Sequence, residues 1–138
     1  MANKLNTALD NIESALKAVT GIRYCERQLI LPTHQPRPAI GIVCGGNLRR
    51  EGKSWTCTAM LQLLTASTRG DVDEGLLDLI QAITDAMDTL ANGGSAGAAM
   101  DSPDWDPWVM PGTDRGQAVV AGAIGLFRLR VSDPLTAA

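Results

Sequence analysis

The chain has 138 residues, 45% of them apolar and 20% charged, with a net charge of −3. A chain of this length makes one domain, residues 1–138, and buries roughly 68% of the surface it exposes when unfolded, enough for a core without staples. The acidic balance argues against a dedicated nucleic-acid binder, and no apolar run approaches the ~20 residues of a membrane span.

Leu5, Leu9, Ile12, Leu16 and Val19 recur at helical spacing and predict an amphipathic helix over residues 3–20, stopped by Gly21. Residues 22–31 carry a β-favouring core that ends at Pro32, and residues 32–38 form a proline-rich connection biased to extended backbone. A second strand is expected over 40–44, with Gly45, Gly46 and Asn47 starting a turn and residues 48–53 forming a polar tip. Residues 54–66 make the longest strand candidate. There Trp55, Cys57, Ala59, Leu61 and Leu63 alternate with Thr56, Thr58, Met60, Gln62 and Leu64.

Val72, Leu76, Leu79, Ile80, Ile83, Met87 and Leu90 mark a second amphipathic helix that stops at Asn92, Gly93 and Gly94. Asp71, Asp73 and Glu74 enrich its opening turn, where negative charge complements the unpaired N–H groups and the dipole; they are read as caps. Residues 92–112 are expected to be a flexible loop, poor in packing residues at first and then rich in Asp, Pro and Trp, with a short strand at Val109 and Met110. Residues 117–131 form the last strand, in which Gly122 and Gly125 permit a bulge or a close contact. Residues 133–138 read as a frayed tail. The expected fold class is α+β: a mostly antiparallel sheet with two amphipathic helices packed on one face, and the long Gly/Trp-containing loop before the last strand. The opposite face is only partly polar, as in sheets that bury their second face in an oligomer.

Catalytic signatures are weak. Gly46 to Ser54 approaches a P-loop, but five residues separate its glycines where four are needed, and a strand follows where a helix should. Cys25, His34, Cys44 and Cys57 lack the short paired spacing of a zinc site, and the three cysteines read as reduced, partly buried thiols. His34 is the single histidine and sits between prolines, which leaves a hydrolase triad without support. Asp101, Asp104 and Asp106 lack the glycine and terminal glutamate of a calcium loop. No catalytic, cofactor-binding or metal residue is assigned, and the chain is read as a non-enzyme without cofactor.

Interaction residues are the better candidates. Trp105 and Trp108 either fold back over the sheet or anchor a subunit interface, for which Trp is a preferred residue. Arg49, Arg50 and Lys53 at the hairpin tip are opposite in sign to Asp101, Asp104 and Asp106. In a ring the basic tip of one subunit would meet the acidic segment of the next, and charge reversal at Arg49 and Arg50 would impair assembly.

The order of elements resembles the tail terminator proteins of long-tailed bacteriophages, the minor tail protein U group of lambda-like phages. The likeness lies in a first helix ending at Gly21, a strand, the run Pro36-Arg-Pro-Ala-Ile40 entering the next strand, and a hairpin into Trp55 and onward to Leu64. A helix opening near Asp71 to Glu74 and a last strand over 117–131 complete it. The resemblance implies a virion protein of the tail and neck, made in the host cytoplasm. It would form a homo-hexameric ring that caps the last tail-tube ring, halts tube elongation and offers a docking surface to the head–tail connector. Its partners would be itself, the tail tube protein and connector proteins, with no membrane and no sequence-specific nucleic acid, although DNA could pass through the lumen. The alternatives are another phage neck protein, of the tail-completion or head–tail joining type, and a small ligand-binding α+β module or enzyme. A ring in light scattering separates the assembly protein from the module.

Overall fold

The computed structural model describes residues 3–28, 38–67, 74–93, 97–110 and 119–136. Within them the chain runs α1 (Lys4–Lys17), β1 (Tyr24–Glu26), β2 (Ala39–Glu51), β3 (Ser54–Ser67), α2 (Glu74–Asn92), β4 (Ala99–Met100), β5 (Asp104–Met110) and β6 (Val119–Ser132). The class is α+β, as the sequence predicts. No described helix is long and apolar enough to cross a membrane.

Asn3 starts α1 by accepting the backbone N–H groups of Leu5 and Asn6 on its Oδ1, at 2.9 and 3.2 Å. Such a cap stabilises a helix by about 1 kcal/mol. Leu5, Ala8, Leu9, Ile12 and Leu16 are buried along one stripe. Regular α-helix stops at Lys17, three residues earlier than periodicity implies. The chain tightens there, with Ala18 N–H bonded to the Ala15 carbonyl and Val19 N–H to that of Leu16. Gly21, at φ +96°, then turns it away. In α2, Leu76, Ile83 and Met87 are buried and Leu79, Ile80 and Leu90 half-buried. Glu74 opens this helix, whereas Asp71, Val72 and Asp73 lie outside the described residues, as do residues 29–37 with His34.

The six strands form one sheet in the order β1-β2-β3-β6, with β4 and β5 both pairing along the outer side of β6. Only β1 and β2 run parallel; the other pairs are antiparallel. Alternate residues of each strand point to opposite faces. Ile40, Ile42, Cys57, Ala59, Leu61, Leu63, Ala121, Ala123, Phe127, Leu129 and Val131 share one core with the apolar stripes of both helices. Both helices therefore cover the same face.

Three expectations need correction. The turn expected at Gly45–Asn47 is a bulge inside β2, marked by register shifts between Cys44 and Gly46 and between Gly46 and Arg49, with Asn47 at φ +54°. A Gly-Gly-Asn sequence favours positive φ equally in a turn and in a bulge. The long partner strand β3 decides the matter by carrying the ladder on to Glu51, so the true turn is Gly52–Lys53.

The flexible loop expected over 92–112 contains β4 and β5. β5 pairs with β6 from Asp104 opposite Leu126 to Met110 opposite Val120. Its Asp-Trp-Asp-Pro sequence has little strand propensity. What holds it is shape, since Trp105 and Trp108 lie opposite Gly125 and Gly122, where the missing side chains leave room for an indole.

Nor is the tail frayed as far as Thr136. The Asp133 carboxylate accepts the Trp55 indole N–H at 2.8 Å and an Arg50 N–H at 3.1 Å. Lys4 N–H donates to the Leu135 carbonyl at 2.7 Å, and Asn3 bridges to Thr136. These bonds tie the chain end to the start of α1 and the tip of the hairpin.

Candidate interaction face

The face of the sheet turned away from the helices is built by the remaining alternate positions. One cross-strand row reads Tyr24, Ala39, Leu64, Gly122 and Trp108. Ala39 and Leu64 are buried there, with Tyr24 and Trp108 packed against them. The next rows carry Gly41, Gln62, Ile124 and Asp106, then Val43, Met60, Leu126 and Asp104. Beyond them Thr58 faces Arg128, and Arg49, Thr56 and Arg130 line up across β2, β3 and β6. The face thus grades from apolar at the Trp108 end, through half-exposed Val43, Met60 and Ile124, to cationic at the hairpin end. Among the described residues no helix lies over it. Leu126 is 48% exposed in its middle.

Arg128 and Arg130 are both exposed and stand two positions apart on β6, which spaces their Cα atoms by ~7 Å. Both line a cavity of about 110 Å³ with Thr56 and Asp101. Arg128 also lines a second cavity, of about 230 Å³, with Asn47, Arg49 and Thr58. The Thr hydroxyls and the Asn47 amide beside exposed guanidinium groups make a surface suited to carboxylates or phosphates.

The residues singled out from sequence are distributed differently from the expected two patches. Arg49 lies within β2, its Nε 2.8 Å from Glu51 Oε1, and Arg50 reaches Asp133 at 3.1 Å. Much of the tip's positive charge is therefore answered within the chain, and Lys53 sits in the turn itself. Asp101 is held at the end of β4 by its N–H to the Arg128 carbonyl at 3.1 Å. Asp104 and Asp106 point to the far face along the outer strand. Pro107 in the same strand lacks an N–H, so charge and proline together blunt this edge against pairing with another strand.

The two tryptophans part company. Trp105 turns to the helices, where its indole N–H donates to Thr84 Oγ1 at 2.9 Å. Trp108 turns to the far face. Both fold back over their own sheet.

Sequence reasoning missed Leu126, Arg128 and Arg130. The signal was present in the alternation of Leu126, Arg128 and Arg130 against Phe127, Leu129 and Val131. The continuous apolar run before it, Val119 to Leu126, masks the change to alternation. The P-loop-like segment is the β2–β3 hairpin and opens no helix. Among the described residues no group of three or more His, Cys, Asp or Glu side chains could hold a metal ion. Cys25 stands on β1, whereas the other two thiols are on β2 and β3. Burial, with Glu13 nearby, pushes Cys25 up to about 11, and its sulfur sits 3.9 Å from the Glu13 carbonyl.

No family model matches this chain, and no curated protein matches its sequence.

Proposed function

We propose that this chain is a structural virion protein of the tail-terminator kind, a ring-forming cap that ends a phage tail tube and receives the head connector. The observation that carries the reading is the one-sided sheet. Its helices seal one face, while the other presents Leu126 and its apolar neighbours between an arginine end and an acidic edge. An apolar centre with a charged margin is the anatomy of a subunit interface. Because the arginines gather at the hairpin end of the face and Asp104 and Asp106 run along its outer edge, the contact they favour is heterologous, with the arginines of one subunit against the aspartates of the next. Repeated contacts of that type form a ring where the rotation between subunits closes, as the proposed cap requires. The outer strand contributes specificity by its charge rather than by offering backbone for strand addition.

Native mass spectrometry and light scattering over a range of concentrations test this reading. The expected result is a hexamer, alone or with the tail tube protein added. Reversing both Arg128→Glu and Arg130→Glu weakens it at least ~tenfold, because like charges then face each other across the contact. A protein that stays monomeric at every concentration and with tube protein present overturns the proposal. A ring that ignores both reversals refutes the assignment of the face.

A further inference from the structure

An open groove of about 520 Å³ lies between the start of α1 and β2, lined by Asn3, Leu5, Asn6, Leu9, Arg27 and Cys44 among others. Arg27 is held over it by two bonds, one N–H group to Asp10 Oδ1 and the other to Asn6 Oδ1, each 2.8 Å. Its Nε is buried without a partner. At the groove wall Cys44 stands beside the β2 bulge. Its backbone stands opposite Ala59, yet its sulfur lies 2.9 Å from that of Cys57, two residues along the neighbouring strand.

We propose that Cys44 and Cys57 are a redox-active dithiol, in which Cys44 attacks a low-molecular-weight disulfide entering from the groove and Cys57 resolves the product into a cross-strand disulfide. The sulfurs need close by only about 0.9 Å to reach the bonded distance of about 2.05 Å. Exposure divides the two roles, since Cys44 is partly exposed at the groove wall whereas Cys57 is buried. The hydrogen bond between the two thiols, with the Arg27 guanidinium, lowers Cys44 against its partial burial. The same hydrogen bond raises Cys57, which keeps its proton until the second step. A thiolate at the edge of a groove, with a cation near it and a second thiol in contact, is the setting in which cysteine oxidation is selective.

With glutathione disulfide the steps balance. The Cys44 thiolate forms a bond to one glutathione sulfur and expels the other as a thiolate. Cys57 then gives up its proton and attacks the Cys44 sulfur, releasing the second glutathione. Two protein thiols are oxidised and one glutathione disulfide is reduced to two glutathiones. The new bond staples β2 to β3 across the bulge, beside the strand end that carries Arg49 and Arg50.

The test is incubation of the reduced, full-length protein with glutathione redox buffers, followed by intact mass and non-reducing peptide mapping. The expected product lacks two hydrogen atoms, yields a Cys44–Cys57 cross-linked peptide and leaves Cys25 free. Cys57→Ala should stop at the glutathione adduct on Cys44 and raise the alkylation midpoint of Cys44, because the thiol that lowers it is gone. Cys25→Ser should behave as the parent. A stable adduct on Cys44 in the unmutated chain, a cross-link through Cys25, or no reaction under oxidising buffer would each overturn the proposal.

Discussion

Two glycine–tryptophan pairs sit three residues apart on the same two strands, one on each face of the sheet, and their surroundings differ sharply. Trp105 stacks on Gly125 beneath α2 and spends its indole N–H on Thr84. Trp108 covers Gly122 on the face that no described helix covers, and packs with Leu64, Ala39 and Tyr24. The same chemical device therefore serves two purposes. Under the helices it completes a sealed core. On the far face it anchors the outer strand to the apolar end of a surface that runs on into exposed Leu126 and the arginines. A strand of Asp, Pro and Trp is held in the sheet by its large side chains filling gaps left in β6, from both sides at once.

If the helix-covered face is the true core, the largest loss of stability comes from emptying it. Leu61 is fully buried there, opposite Gly125 on β6. Leu61→Ala should cost about 3 kcal/mol, because a cavity under two helices cannot collapse around the missing methyl groups. Urea unfolding checks the value, and a loss below ~1 kcal/mol would show that this face is not sealed.

The glycines come next. A Cβ added at Gly122 would run into the Leu63 backbone carbonyl and come within 2.6 Å of the Trp108 ring. Backbone cannot swing aside, so Gly122→Ala is expected to cost about 2–3 kcal/mol and to shift Trp fluorescence as β5 loosens. At Gly125 the nearest atoms are all in the Trp105 ring, at 3.0 to 3.1 Å. An indole can tilt, so Gly125→Ala should cost about 1 kcal/mol. The order of the two values is the sharper test: equal losses would mean that the two pairs are packed alike after all.

This asymmetry explains how much could be read from the chain. Both helices, the long β3 and the last strand were legible because their apolar residues repeat at 3.6 or 2 positions and each face is decided locally. The bulge at Gly46 was not, since Gly and Asn report only a need for positive φ, and the partner strand alone decides whether the ladder continues. β5 was legible only at its end, Val109 and Met110, for a related reason. Its propensity is poor, and the residues that hold it, Gly122 and Gly125, come a dozen or more positions later and mark absence of side chain rather than presence. The candidate face was half legible: Asp104, Asp106 and Trp108 were found, but Arg49 and Arg50 proved to have partners at Glu51 and Asp133, while the exposed pair Arg128 and Arg130 was missed. Nothing in the spacing of Cys44 and Cys57 foretells their contact, because the register of the β2–β3 hairpin decides which residues of the two strands meet.

The smallest expected change in stability carries the most information about the far face. Leu126 stands on β6 next to Phe127 and opposite Met60, but half of it is exposed. Leu126→Ala removes little buried area in the monomer and should lower stability by under ~0.5 kcal/mol. The same truncation at the centre of a subunit contact costs more than ~1 kcal/mol per interface, and a closed ring repeats that cost at every contact. The two quantities are separable in one preparation: denaturant unfolding at low concentration reports the monomer, and mass distribution at high concentration reports the ring. A variant that folds as well as the parent but assembles less places Leu126 in the contact, and Leu61→Ala supplies the opposite pattern on the neighbouring strand. Should Leu126→Ala instead unfold the monomer as readily as Leu61→Ala, the far face would be a second core, and the difference between the two faces would be one of degree.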